Sequence, residues 1–261
     1  MLSQDTRTTL VIGHPGHELR VFRWLEINRP WVFVLTDGSG RSGRSRLAST
    51  TRILDEVGAR KGSFYGRFTD VAAYSAILSH DCAVFAGLAR ELARHLIDQR
   101  INYVAGDALE GYNPTHDVCR LVIGAAVEMA NRSGDHKARN FDFPLAAPPD
   151  NYSEAHGDQA LRIAVDDRAF ARKMSAARAY SELASEVETA INDNKEEAFR
   201  VECLRPVSNC ERGDRFAAAP PYYEQHCEKQ VAAGYYTHVI RYRQHFLPLA
   251  EALWRRVEEG I

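Results

Sequence analysis

The sequence predicts an α/β protein, a Rossmann-like three-layer sandwich around a mainly parallel sheet. Strand and helix patterns alternate through the first half of the 261 residues. The strands are separated by crossovers long enough to make the pairing parallel. Two polar motifs also fall at the carboxyl ends of strands, where open parallel sheets collect their ligands.

The elements follow in order. "TTLVIG" (8–13) is a short strand rich in β-branched residues, and "WVFVLTDG" (31–38) is a second one that ends in a turn. "RLASTTRILDEV" (46–57) carries apolar residues at helical spacing and is closed by Gly58. "CAVFAGLARELARHLIDQR" (82–100) predicts a longer helix, followed by the strand "INYVAG" (101–106). Asn113-Pro114 then supplies an N-cap and a proline at the first helical position, opening "THDVCRLVIGAAVEMANR" (115–132). The proline-rich, polar stretch 138–158 reads as an irregular loop or boundary. Beyond it, "ALRIAVDD" (160–167) is strand-like, Phe170 to about Glu197 reads as one long amphipathic helix, and "FRVECLRPV" (199–207) reads as another strand. The tail ends in a helix. With no internal repeat, 1–261 reads as one domain with a C-terminal elaboration over about 150–261.

Composition narrows the function. A net charge of −2 gives no reason to expect nucleic acid or an anionic membrane surface as partner. No apolar stretch approaches the roughly 20 residues of a membrane span, and the first apolar run is too short for a secretory signal. The expected location is the cytoplasm. Five cysteines without a C-x-x-C pair argue against a disulfide framework or a thiolate zinc site.

Histidine is more informative. "GHPGHE" (13–18) places His14 and His17 three residues apart in a turn directly after a strand, which brings both rings to one side. Neutral imidazole binds zinc, and a catalytic zinc needs three protein ligands. His116 is well placed to be the third, in the first turn of a helix that starts at another strand end. His80, His95 and His136 lack such a setting and are expected at the surface.

These residues carry a resemblance. "GHPGHE" (13–18), "VLTDGSG" (34–40) with "RLASTTRILDEVGA" (46–59), and "EGYNPTHDVCR" (110–120) match in order and setting three separated elements of the PIG-L/LmbE-like family of zinc-dependent N-acetylglucosaminyl deacetylases. The resemblance covers roughly the first 130 residues. It implies an N-deacetylase that removes an acyl group from an amino-sugar derivative through activated water. It also implies a small-molecule substrate such as a sugar conjugate, with homo-oligomerisation left open. Zn2+, or another divalent transition metal, would be held by His14, by His17 in place of the family's aspartate, and by His116.

Two departures stand out. The family's general base falls on Gly16, and the histidine opening its last motif falls on Asn113, which can donate to an oxyanion but cannot shuttle a proton. Glu110 or Asp37 is the expected replacement base. Glu18 is expected to orient a ligand or cap the following helix rather than bind metal. Gly16 also raises two alternatives: a metal-binding protein recruited to another biosynthetic reaction, or a non-catalytic binding protein. The loop "DGSGRSGRSR" (37–46) reads as a rim for an anionic group or as a solvated loop. "PPYYEQHCEKQVAAGYY" (220–236) reads as an aromatic lid or as core, and His226, His238 and His245 could supply an acid from that region.

Overall fold

A computed structural model describes residues 6–133, 135–148, 159–207, 216 and 219–259. Its centre is a seven-stranded sheet in the order β3-β2-β1-β4-β5-β7-β6. The strands are β1 (Thr8–Ile12), β2 (Trp31–Thr36), β3 (Arg60–Phe68), β4 (Tyr103–Asp107), β5 (Arg139–Phe143), β6 (Leu161–Ala164) and β7 (Val201–Pro206). β3, β2, β1, β4 and β5 pair in parallel, whereas β7 runs antiparallel to both β5 and β6.

Side-chain alternation along the strands divides the core into two layers. Val11, Phe33 and Leu35 face one cluster with α4 (Cys82–Asp98), α5 (Pro114–Ser133) and α9 (Leu247–Glu258). Leu10, Ile12, Val32 and Val34 face the other, with α1 (Phe22–Asn28) and α2 (Leu47–Val57). The remaining helices are α3 (Asp70–Leu78), α6 (Asp167–Arg178), α7 (Ala184–Asn194) and α8 (Tyr222–Ala232). Among the described residues no single helix is long and apolar enough to cross a membrane; α3 and α4 reach that length only as a pair bent by 119°.

Most predicted elements form where expected, and the departures have local causes. The expected helix from Phe170 to Glu197 is two helices. Tyr180 breaks it: its side chain is fully buried, and its hydroxyl, 2.9 Å from Thr50 Oγ1, pins the chain to α2. A one-turn segment, Ser181–Leu183, then redirects the chain into α7. The expected loop 138–158 begins as β5, whose alternating aromatic residues Phe141 and Phe143 pack into the core; 149–158 lie outside the described residues. His95 is not a surface residue, because its ring packs edge-on against Trp31 and Phe33. His136 is half-buried, on the Ile101 carbonyl, while His80 is exposed as expected. Cys82, Cys119, Cys203 and Cys227 are in no disulfide among the described residues, and Cys210 is outside them.

The site is positioned by topology. β1 has β2 on one side and β4 on the other, so the chain leaves these strands in opposite directions and opens a crevice at their carboxyl ends. The "HPGHE" turn follows β1 and the start of α5 follows β4, and both face that crevice.

Candidate functional site

Three histidines meet in the crevice. The ring centroids of His14 and His17 are 5.4 Å apart, those of His14 and His116 4.9 Å, and those of His17 and His116 4.5 Å. Local structure places each one. Gly16, with φ 105°, lets the chain reverse into a short 3-10 turn, His17–Val21, that turns His17 back towards His14. Asn113 Oδ1 accepts from the Thr115 N–H at 2.8 Å and caps α5, which fixes His116 in its first turn.

The hydrogen bonds orient the rings. His14 Nδ1 lies 2.7 Å from Thr36 Oγ1, whose own hydroxyl donates to the Gly13 carbonyl at 3.0 Å. Thr36 therefore accepts, Nδ1 carries the proton, and the lone pair of His14 is on Nε2. That atom is buried and unpartnered. Asp70, the first residue of α3, lies 3.0 Å from the same Nδ1. His17 Nδ1 lies 2.9 and 3.0 Å from the carboxylate of Asp107, which is fully buried and also accepts the Gly13 N–H at 2.7 Å. His116 Nδ1 is buried without a partner as well.

Burial, reinforced by the neighbouring rings, holds His17 and His116 well below the usual histidine range, so both are neutral at pH 7. Burial also pushes Asp107 up to about 7. For Asp70 burial is outweighed by the His14 ring, Thr36 and the Gly40 N–H, which hold its carboxyl well below the usual range. Glu18 is fully buried and pushed up to about 7 by that burial; it accepts the Gly16 N–H and the Thr50 hydroxyl, each at 2.8 Å, and so stabilises the turn.

A metal fits this chemistry, though no site stands ready. Among the described residues no group of three or more His, Cys, Asp or Glu side chains is arranged to hold an ion as it stands. The donors nevertheless suit one: buried nitrogens of His14 and His116 lack any partner, and carboxylates stand behind the rings of His14 and His17. Three imidazoles bound tetrahedrally at about 2.0–2.1 Å would have centroids roughly 5 Å apart, close to the observed spacing.

The cluster opens into a cavity of about 1070 Å³. Asn113 lines it, and its side chain also meets Tyr74. Neither expected base does. The Glu110 carboxylate accepts the backbone N–H groups of Leu145, Ala146 and Ala147 at 2.8–3.1 Å. Asp37 Oδ1 accepts the Ser39 N–H at 3.0 Å in a turn. The space beside Gly16 is filled from elsewhere in the chain, since a Cβ on Gly16 would sit 2.2 Å from Leu183 Cδ1.

Arg46 is the arginine of the 37–46 loop on the cavity wall, 3.8 Å from Glu186 of α7. The aromatic segment 220–236 divides its work. Tyr223 is buried core, Tyr222 stacks on Tyr112 at 5.3 Å, and Tyr235 and Tyr236 line the cavity. His238 lines it too, whereas His245 stacks on His80 and His226 packs beside Tyr222. Sequence reasoning missed Asp70 and Asp107. Asp107 had a signal, being the next residue after the predicted strand "INYVAG"; Asp70 had only its place one residue after the capping Thr69.

No family profile and no curated protein matches the chain by sequence. Solved structures do. The zinc-inhibited form of teicoplanin deacetylase Orf2 superposes with a TM-score of 0.55 at 13% identity, over 78% of this chain and 98% of that one. The likeness is one of α/β fold. A deacetylase complex from the teicoplanin biosynthesis pathway gives 0.55 at 14% identity over the same shares. The conserved protein TT1542 from Thermus thermophilus gives 0.51 at 16% identity, over 77% of this chain and 93% of that one.

Proposed function

We propose that the protein is a metal-dependent N-deacetylase acting on an amino-sugar derivative. The observation that carries this reading is the convergence of His14, His17 and His116 at adjacent strand ends, with unpartnered buried nitrogens facing a large cavity. A divalent transition metal, zinc by the donor set, supplies Lewis acidity there when bound. Thr36 and Asp107 hold the proton on Nδ1 of His14 and His17, keeping both rings in the tautomer that presents Nε2. The Asn113 amide donates to the oxygen that gains charge during attack on the acyl carbonyl. Glu110 and Asp37 are committed to backbone amides, and Asp70, the cavity-lining carboxylate that touches the cluster, orients His14 through its Nδ1. The deacetylase fold of the structural neighbours supports the reading.

Leu183 over Gly16 favours a second reading, a metal-binding protein recruited to another reaction on a small metabolite. Elemental analysis with an N-acetylglucosamine assay separates the two. Stoichiometric metal, acetate release, and loss of both in His116→Ala are expected. Metal without release from any N-acyl sugar selects the second reading, and a protein that neither contains nor takes up metal refutes both.

A further inference from the structure

The helix α7 is amphipathic yet has no fully buried residue. Its apolar stripe, Leu183, Val187, Ala190 and Ile191, follows the helical spacing i, i+4, i+7, i+8, and each of these side chains is half-buried. All four line the cavity. A helix of a water-soluble core normally covers such a stripe with other side chains, because burying it is what holds the helix in place. Here Leu183, Ala190 and Ile191 are covered only in part, by the neighbouring core, and with Val187 they leave the rest of their surface on the cavity. Met174 and Ala177 of α6 and Phe199 continue the same apolar wall.

The wall begins at the histidine cluster. Leu183 lies against Gly16, between the two histidines of the first turn, and Tyr180 approaches the same glycine. On the opposite side the cluster meets polar and aromatic groups: Asp70 beside His14, and Tyr112 6.5 Å from His116. The cavity thus has an aliphatic wall and a polar, aromatic wall, and the three rings stand where the two meet.

We infer that the aliphatic wall is an acyl-chain subsite, and that the preferred substrate carries an N-acyl chain of medium length rather than an acetyl group. This rests on the N-deacylase reading of the histidine site. An amide bond at the rings would send its acyl carbons along Leu183, Val187 and Ile191 and its sugar towards Tyr112 and Tyr236. From residue 183 to 191 the helix advances roughly 12 Å. An extended alkyl chain advances about 1.3 Å per carbon, so a chain of about eight to ten carbons spans the stripe. A cavity of about 1070 Å³ stands at the upper end of small-molecule sites, with room for both parts.

Binding can be read without turnover, which separates this inference from the hydrolase reading. Calorimetry with N-acetylglucosamine and N-octanoylglucosamine below its micelle concentration is expected to show at least about 100-fold tighter binding of the octanoyl compound, since each buried methylene contributes up to about fourfold. In Val187→Asn/Ile191→Gln the octanoyl-to-acetyl ratio is expected to fall at least about tenfold with the melting temperature kept within a few degrees. If the enzyme hydrolyses both compounds, the same preference appears in KM. Equal affinities, no detectable octanoyl binding, or an unchanged ratio in the variant overturns the inference. So does a doubling of mass in light scattering that the variant abolishes, because the stripe would then be covered by a second copy.

Discussion

The contact of Leu183 with Gly16 predicts a measurable coupling between two residues 167 positions apart in the chain. Gly16→Ala perturbs the turn in two ways. Its φ of 105° is a conformation that L-residues rarely adopt, which costs about 1–3 kcal/mol. The new methyl would also lie 2.2 Å from Leu183 Cδ1, the end of a flexible side chain that can turn away at a rotamer cost of about 0.5–1.5 kcal/mol. The single variant should therefore lose about 2–4 kcal/mol. Leu183→Ala alone removes a half-buried side chain and should lose about 1–2 kcal/mol, below the fully buried range. In the double variant the backbone cost remains but the clash has gone, so it should be about 1 kcal/mol more stable than the sum of the singles. Urea unfolding of the four proteins measures this, since distant independent sites add to within about 0.3–0.5 kcal/mol. Additivity within that margin would falsify the packing of the 181–183 turn over the histidine loop, and with it the start of the aliphatic wall.

Two further outcomes follow from the carboxylates. Glu110→Gln retains an oxygen for the amides of residues 145–147, so acetate release should fall less than about tenfold; a loss of 10²–10⁴-fold would mark Glu110 as the base after all. Glu18 has a folded pKa raised to about 7 from 4.5, so the stability it contributes is complete below pH 4.5 and is lost as pH rises towards 7. Glu18→Gln lacks that loss, and its stability relative to the wild type should improve by about 1.4 kcal/mol per pH unit between pH 4.5 and 7 in metal-free protein. A difference that stays constant across this range contradicts the burial of an ionisable Glu18.

Five of the seven strands were legible from local apolar and β-branched runs, and α2 and α5 from Gly58 and Asn113-Pro114, whereas β3 and β5 were not read as strands. The three histidines were legible for the same reason, each lying at the end of such a run. What the sequence hid was non-local. The break at Tyr180 depends on a hydroxyl contact with Thr50, 130 residues away, and periodicity carries no trace of it. Glu110 looked available beside His116, but its partners are backbone amides on another loop, which have no residue signature. Gly16 looked like a gap, and only the folded chain shows that Leu183 occupies it.

His17 and the position of Asp107 belong to one electrostatic arrangement. An aspartate in the place of His17 would put a negative charge directly among the ligating atoms, whereas His17 is neutral there. The negative charge stands one layer behind the rings instead, with Asp107 against His17 Nδ1 and Asp70 beside His14 Nδ1. A cation held by the three rings would then be balanced by charges one residue further out. That displacement makes a definite demand on the protein, because Asp107 has no exposure to water and relies on the Gly13 N–H and the His17 ring to stay ionised. Without a cation burial pushes its pKa up to about 7, and the positive charge of a bound ion would draw it back down. Metal uptake at the three rings should therefore release protons near neutral pH from Asp107 even though His17 and His116 are already neutral, which ties the outer carboxylate to the filling of the site.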